Sequence, residues 1–382
     1  MAKRLRPLQC LVLALLIMLG VAPTSSALEP SLSDVMRGEV SEILTRLKTK
    51  SGPTDPRYLE DNVWYDGTPE CFRCTLGPGV LLAQSGVSNG LFDTTSVSTA
   101  VATFDKAIKT HQRPDGAYFP AGPNEGGVDI QTVLFANELA ETYLLLGLRL
   151  DLAHRAAWSA SLVKSADWLI RNGNLSYYTN GNINLALSMN MDLTYRITRL
   201  SRFKDAADRS IAFTMSPPQD RFPGYGLKYS KTPVDNAGAD GAGYLAESGG
   251  GAPGYDPAYT LVQSNIAGLW YTLTGNPTAH RLTNLFYNQL VPRVRTSDWT
   301  IDVSGGTRRT APGVRYRFST PALAILALKG GRTDLQASVR PQVMFVLTDY
   351  RNGTEYKHSS VSYGYGSELA PILATVTSTL LW

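Results

Sequence analysis

Three stretches decide the fold: Tyr143-Leu144-Leu145-Leu146-Gly147, Tyr195-Arg196-Ile197-Thr198-Arg199 and Tyr271-Thr272-Leu273-Thr274-Gly275. Each closes one helical pattern of apolar residues and stands directly before the next. The fifth residue, glycine or a polar side chain, suits a helix C-cap. The first two tyrosines are 52 residues apart and the next two 76, the excess being one long loop. Self-similarity at such a period marks stacked helical hairpins, which bury their apolar faces only against their neighbours. Six hairpins closed into a ring leave no exposed end.

Outward from these turns, apolar positions recur at helical spacing almost everywhere, and long alternating patterns are absent. The spacing predicts twelve helices, over 33–50, 76–84, 94–110, 129–146, 151–170, 182–198, 202–215, 259–274, 278–291, 321–328, 334–347 and 368–380. Asp93 is placed as an N-cap of the third. The fold class is all-α. Connections alternate in length: 147–150, 199–201 and 275–277 are short, and those between them are long. In a ring of hairpins the long ones emerge on one face. The longest, 216–260, carries Phe222, Tyr225, Tyr229, Tyr244, Tyr255 and Tyr259 among glycines and carboxylates. A loop of that length is functional or disordered, and its aromatic content argues against disorder. Glycines, aromatic rings and carboxylates together suit a wet cleft that grips a polar, ring-shaped ligand.

The N-terminus carries Lys3, Arg4 and Arg6, an apolar run from Leu8 to Ala22, and then Ser25-Ser26-Ala27. This is the pattern of a secretory signal peptide cleaved after Ala27, and the run is short for a membrane span. The expectation is an exported, soluble, monomeric protein with one domain over 28–382. Cleavage leaves 33 basic residues against 32 acidic ones. A net charge that small gives no electrostatic case for nucleic-acid binding. Outside the leader only Cys71 and Cys74 remain, as Cys-Phe-Arg-Cys. In an exported chain this spacing reads as a local disulfide rather than a redox motif, and two cysteines make a poor zinc site. No cofactor and no metal are expected.

The rhythm and its turns resemble the six-hairpin (α/α)6 toroid of carbohydrate-active enzymes, a group that includes polysaccharide lyases and glycoside hydrolases. The resemblance would cover nearly the whole chain after the leader. One scaffold hosts several chemistries, so the reaction has to come from the site. On the long-loop face lie Trp64, Asp66, Asp115, Tyr118, Glu125, Asp129, Tyr177, Tyr178, Asn180, Asn182 and Asn184. Trp299, Asp302, Arg308, Arg309, Arg315, Tyr316, Arg317, Tyr356, His358, Tyr363, Tyr365 and Glu368 follow in the later loops. Four arginines in one loop (308, 309, 315 and 317) suggest anionic groups, because guanidinium matches carboxylate in a bidentate fork.

β-Elimination on a uronic-acid polysaccharide needs a neutralised substrate carboxylate, a base for the C5 proton, and an acid for the departing oxygen. In toroid lyases tyrosine, histidine, asparagine and arginine commonly fill these roles. Gly254-Tyr255-Asp256-Pro257-Ala258-Tyr259 is similar to the aspartate-small-tyrosine element entering an inner helix of such enzymes. The resemblance therefore implies Tyr259 as the proton-transferring residue, ahead of Tyr255. Asn182 would polarise the carboxylate, Arg315 or Arg317 neutralise it, and His358 serve as the base. Unlike the family pattern, no histidine stands directly beside Asn182 or Tyr259. Tyr178, Tyr244, Trp299, Arg308, Asp129 and Asp256 complete the expected sugar-binding set. Two other readings stand beside this one. A hydrolase needs two carboxylates flanking the bond, drawn from Asp129, Asp192, Asp240, Glu247 and Asp256. A noncatalytic glycan-binding protein needs neither set.

Overall fold

The computed structural model describes residues 30–49, 58–60, 63–65, 76–88, 93–118, 128–176, 178–249, 251–308, 311–352 and 365–378. The leader, Cys71, Cys74 and His358 lie outside them. Among the described residues are twelve α-helices: α1 (Leu32–Thr49), α2 (Gly77–Ser88), α3 (Thr94–His111), α4 (Val128–Leu146), α5 (Leu152–Arg171) and α6 (Gly181–Thr198) come first. Then follow α7 (Ser201–Met215), α8 (Pro257–Thr274), α9 (Pro277–Leu290), α10 (Ala322–Leu328), α11 (Gln336–Asn352) and α12 (Ala370–Ser378), the last preceded by a π turn, Tyr365–Leu369. Every helix expected from the sequence is present. α2 and α11 run further at their C-terminal ends, and Glu368 falls in the π turn.

The even-numbered helices form the inner ring. α2 packs on α4, α4 on α6, α6 on α8, α8 on α10, α10 on α12, and α12 returns to α2. Each odd-numbered helix from α3 to α11 lies outside its even-numbered predecessor, and α1 closes the outer layer against α2, α11 and α12. The burial pattern follows from this. α2 is buried on nearly every side. α7 buries one stripe only, Phe203, Ala206, Ser210, Phe213 and Thr214, as an amphipathic outer helix does. None of the described helices is long and apolar enough to cross a membrane.

The three tyrosine turns share one geometry. Gly147, Arg199 and Gly275 all adopt left-handed backbone, with φ of 53°, 59° and 65°. The Arg199 and Gly275 amides bond back to the carbonyls of Tyr195 and Tyr271 at 2.7 and 2.8 Å. Such a residue turns the chain sharply, and the outer helix begins at Ser201 and Pro277 after the second and third turns and at Leu152, past a 3-10 turn, after the first. At the other end Asp93, Asp151, Asp256 and Asn276 accept backbone N–H groups from the first turns of α3, α5, α8 and α9.

The long loops contain strands that sequence periodicity does not announce. β1 (Tyr58–Glu60) pairs antiparallel with β2 (Val63–Tyr65) before α2. β3 (Leu227–Lys231) pairs with β4 (Ala242–Leu245) before α8. β5 (Val294–Arg295), β6 (Thr300–Asp302) and β7 (Arg315–Arg317) form an antiparallel sheet before α10. Strands of two to five residues are too short to show a period of two.

Candidate functional site

The site lies where the N-termini of α6 and α8 meet beneath two long loops. Asp256 is fully buried and caps α8, its Oδ1 accepting the Tyr259 amide at 3.0 Å. Its Oδ2 accepts the backbone N–H of Arg308 at 2.9 Å, which ties the loop before α10 to the start of α8. The Thr307 amide adds a bond to the Tyr255 carbonyl at 3.2 Å. Two glycines allow this approach: a Cβ on Gly306 would stand 2.8 Å from Asp256 Oδ2, and one on Gly249 would run into the Thr307 carbonyl.

Arg308 is thereby laid over Tyr259. Its guanidinium stands 4.2 Å from the ring centroid, and Nη1 donates to the phenol oxygen at 2.9 Å. Nε donates to the Ser248 carbonyl at 2.7 Å. Nη2 has no hydrogen-bond partner among the described residues, and the side chain is exposed. Among the described residues the group is fixed on two sides and exposed on the third.

Beneath this pair sits Glu247, fully buried. Its backbone exchanges two bonds with Gly254, at 2.9 and 3.2 Å. Oε1 accepts the Asn182 amide and the Gln263 side chain, both at 2.8 Å, so one carboxyl joins the starts of α6 and α8. Desolvation raises its pKa to about 8, against the opposing pull of those bonds and of Arg308. At neutral pH the group is a carboxylic acid. Asn182 Oδ1 and Glu247 Oε2 are both buried without a partner.

On the other flank Tyr244 and Tyr255 lie 4.9 Å apart between ring centroids, and Arg293 stands 5.3 Å from the Tyr255 ring. Burial lifts the Tyr255 phenol to about 12. Tyr259, Tyr255, Asp256, Arg308, Asn182 and Tyr244 are therefore gathered in one place. Tyr178 borders it through Asn184, whose amide donates to the Tyr178 carbonyl at 2.9 Å. Asp129, in the first turn of α4, holds Asn174 at 3.2 Å.

The other expected residues sit elsewhere. Arg315 braces the small sheet, donating to the Thr300 side chain and carbonyl at 2.8 Å each and to the Arg293 carbonyl at 3.3 Å. Arg317 is buried and paired with Asp349, 5.9 Å from the Tyr350 ring. Trp299 is buried with φ of 45°, its carbonyl accepting the Phe318 amide at 2.7 Å. Tyr118 is in the core, stacked on Phe135 at 3.7 Å. His358 lies outside the described residues.

Several hydrolase candidates are committed to the scaffold. Asp192 accepts Trp270 Nε1 at 2.6 Å and Asn276 Nδ2 at 3.3 Å, and Asp240 accepts the Val234 and Asp235 amides. Gln263 and Arg293 escape sequence reasoning, because each is one polar residue in an otherwise ordinary helix or turn. Polar residues recurring on the buried inner helices were the available signal: Asn137, Glu138, Glu141, Asn190 and Asn265 are all buried. Among the described residues no cluster of three histidine, cysteine or carboxylate side chains is arranged to hold a metal.

No family model and no curated relative matches this chain. Solved structures do. D-mannose isomerase superposes with a TM-score of 0.56 at 11% identity, over 92% of this chain and all of its own. An unsaturated glucuronyl hydrolase specific for heparin gives 0.54 at 11%, over 91% and 98%. The fold is the (α/α)6 toroid. A family 76 glycoside hydrolase from a bovine Bacteroides thetaiotaomicron strain gives 0.51 at 10%, over 91% of this chain and 78% of that one. At these identities the likeness speaks for the fold alone.

Proposed function

We propose that this chain is an exported glycan-processing enzyme that cleaves a uronate-bearing polysaccharide by β-elimination. The observation that carries this reading is the exposed Arg308 guanidinium, held over and bonded to the Tyr259 phenol. A uronate carboxylate at the exposed Arg308 guanidinium would be neutralised there, which makes the neighbouring C5 proton acidic. His358 is the base proposed from the sequence. As it takes that proton, the electron pair forms the C4–C5 double bond and the C4–O bond breaks. Tyr259 gives its hydroxyl proton to the departing oxygen and regains one from the base. Asn182 Oδ1 and the Tyr244–Tyr255 face would hold hydroxyls and ring surfaces of the sugar. Arg308 takes the neutralising role that the sequence assigned to Arg315 or Arg317, both of which are engaged inside the protein.

The hydrolase reading draws on Glu247 and Asp256, a neutral acid beside a second carboxyl, the arrangement that divides acid and base roles. Both are fully buried, and both are bonded to backbone amides that build the loop. Both oxygens of Asp256 and one of Glu247 are engaged in holding the loop and the helix starts, which favours elimination. The deciding experiment incubates the chain lacking residues 1–27 with uronate-containing and neutral polysaccharides, following new reducing ends and the ultraviolet absorbance of a conjugated unsaturated uronate together. Both signals rising establishes elimination. Reducing ends without absorbance overturns it in favour of hydrolysis, and binding without either product favours a noncatalytic glycan-binding protein.

A further inference from the structure

The chain between β4 and α8 is tied down by two buried side chains that the proposed reaction leaves without a role, Gln263 and Glu247. Gln263 follows Tyr259 by four residues on α8, so the two share one face of the helix. Its side-chain amide pairs with the Leu245 backbone in both directions, Oε1 accepting the N–H at 3.0 Å and Nε2 donating to the carbonyl at 2.9 Å. Nε2 also donates to Glu247 Oε1 at 2.8 Å, where the Asn182 amide arrives from the start of α6. The Glu247 backbone is paired with Gly254. Gly181 permits this closeness, because a Cβ there would run into the Leu245 side chain. Residues 245–247 are thereby held from α8, from α6 and from the returning strand. The next residue carries the consequence. The Ser248 carbonyl accepts Arg308 Nε at 2.7 Å and so helps to keep the guanidinium over Tyr259. Moving that carbonyl moves the guanidinium.

Charge enters as well. Glu247 Oε1 accepts two donors, while Oε2 is buried without one. A carboxylate in that place would leave a charged oxygen unpartnered and out of water, which costs far more than a neutral acid does. Burial accordingly pushes the pKa up to about 8. The charged groups that act on Glu247 are Asp256 and Arg308. The elements bonded to it add only phenols near it, Tyr244 on β4 with Tyr255 and Tyr259 at the start of α8, and α6 has no titratable group before Asp192. If Glu247 ionised beside Asp256, two carboxylates would share one guanidinium. Arg308 would then have little charge to offer a substrate anion.

We infer that Gln263 and Glu247 are positioning residues for the anion site: together they place the Ser248 carbonyl that holds Arg308 over Tyr259, and Glu247 does so as an uncharged acid whose ionisation abolishes anion binding. The inference rests on the elimination reading and deepens it, by naming what sets the site and what turns it off. Neither residue touches the substrate. Gln263 acts through the backbone of residues 245–248, and Glu247 acts both through that backbone and through the charge it withholds from Arg308.

The test uses Glu247→Gln, which keeps the shape of the neutral acid, and Gln263→Leu, both in the chain lacking residues 1–27. Two measurements are made at pH 7 and pH 9: kcat and KM on the uronate polysaccharide that is cleaved, and the Arg308 Nε–H resonance in arginine side-chain NMR spectra, assigned by its absence in Arg308→Lys. In the parent KM should rise about tenfold between the two pH values, because at pH 9 only about one molecule in ten keeps a proton that titrates near 8. In Glu247→Gln that rise should vanish while kcat at pH 7 matches the parent. The Arg308 resonance should move with pH in the parent and stay in place in Glu247→Gln. Gln263→Leu should lose the resonance already at pH 7 and raise KM about tenfold or more. An equal rise of KM in the parent and in Glu247→Gln would overturn the role of the Glu247 charge. An unchanged resonance and KM in Gln263→Leu would overturn the positioning and leave catalysis standing. If no uronate polysaccharide is cleaved but the resonance responds as described, the positioning holds and the elimination reading falls. Should Gln263→Leu fail to fold, the comparison of Glu247→Gln with the parent still decides, since that variant retains every acceptor in the clamp.

Discussion

Glu247→Gln isolates the contribution of one buried proton. In the folded chain the Glu247 carboxyl titrates near 8, against an ordinary value of 4.5. Below pH 4.5 both folded and unfolded chains hold this proton, and it contributes nothing to the difference. Between 4.5 and 8 the unfolded chain releases it while the folded chain keeps it. The folded state then binds more protons, so stability falls as pH rises, by about 1.4 kcal/mol per pH unit. Over the whole window the loss reaches about 5 kcal/mol and levels off above pH 8. Glutamine keeps an acceptor for the Asn182 amide and the Gln263 side chain but does not titrate. Urea unfolding of both proteins at pH 5, 6, 7 and 8 measures the effect as a difference. Other buried carboxyls such as Glu138 and Glu141, which have the same sign, cancel in that comparison. The variant should gain on the parent steadily with pH and hold its lead above pH 8. A difference that stays flat from pH 5 to 8 would refute the argument, because it would mean that the carboxyl ionises normally in the folded chain.

Tyr259→Phe should lower kcat by about 10²-fold or more, the usual contribution of a positioned proton donor, while urea stability moves by less than about 1 kcal/mol for one lost hydrogen bond. Normal turnover in that variant would remove Tyr259 from the mechanism. Arg199→Gly should raise stability by about 1 kcal/mol, because φ of 59° strains a side chain with a Cβ and leaves glycine relaxed. Calorimetry checks it, and an unchanged or lower Tm would count against the strain. Asp256→Ala removes the cap of α8 and the anchor of the Arg308 amide together, a loss of about 2 kcal/mol or more. It should also raise KM for a uronate polymer by loosening Arg308, and a stability loss with KM unchanged would separate the cap from the site.

The fold was legible because it is written in local rules that repeat. Each inner helix is buried nearly all round and each outer helix on one stripe, so the helical period persists along the chain. The turns between them are short enough for left-handed C-caps at Gly147, Arg199 and Gly275 to stand out. Even the arginine that ends the second turn, Arg199, betrays the geometry, because its place in the repeat matches the two glycines. The β3–β4 hairpin and the β5–β7 sheet were not legible, since strands this short are held by tertiary stitching and not by alternation.

The site was legible in its chemistry and less so in its assignments. Tyr255, Asp256 and Tyr259 sit in one local element, and their proximity follows from a helix start. Which arginine joins them does not. Arg308, Arg315 and Arg317 are equivalent as letters, and what separates them is acceptors 15 to 60 residues away in sequence. Thr300 claims Arg315, Asp349 claims Arg317, and Asp256 with Ser248 turns Arg308 onto Tyr259. Glu247 shows the same dependence from the other side. As a letter it is one more loop carboxylate. Its protonation arises because Gly254 and Asn182, 7 and 65 residues away, close over it and shut water out. A carboxyl that stays neutral at the junction of two inner helices can join their N-termini without placing a second negative charge beside Asp256. The anion-binding guanidinium above it is then left with charge to spare for a substrate carboxylate.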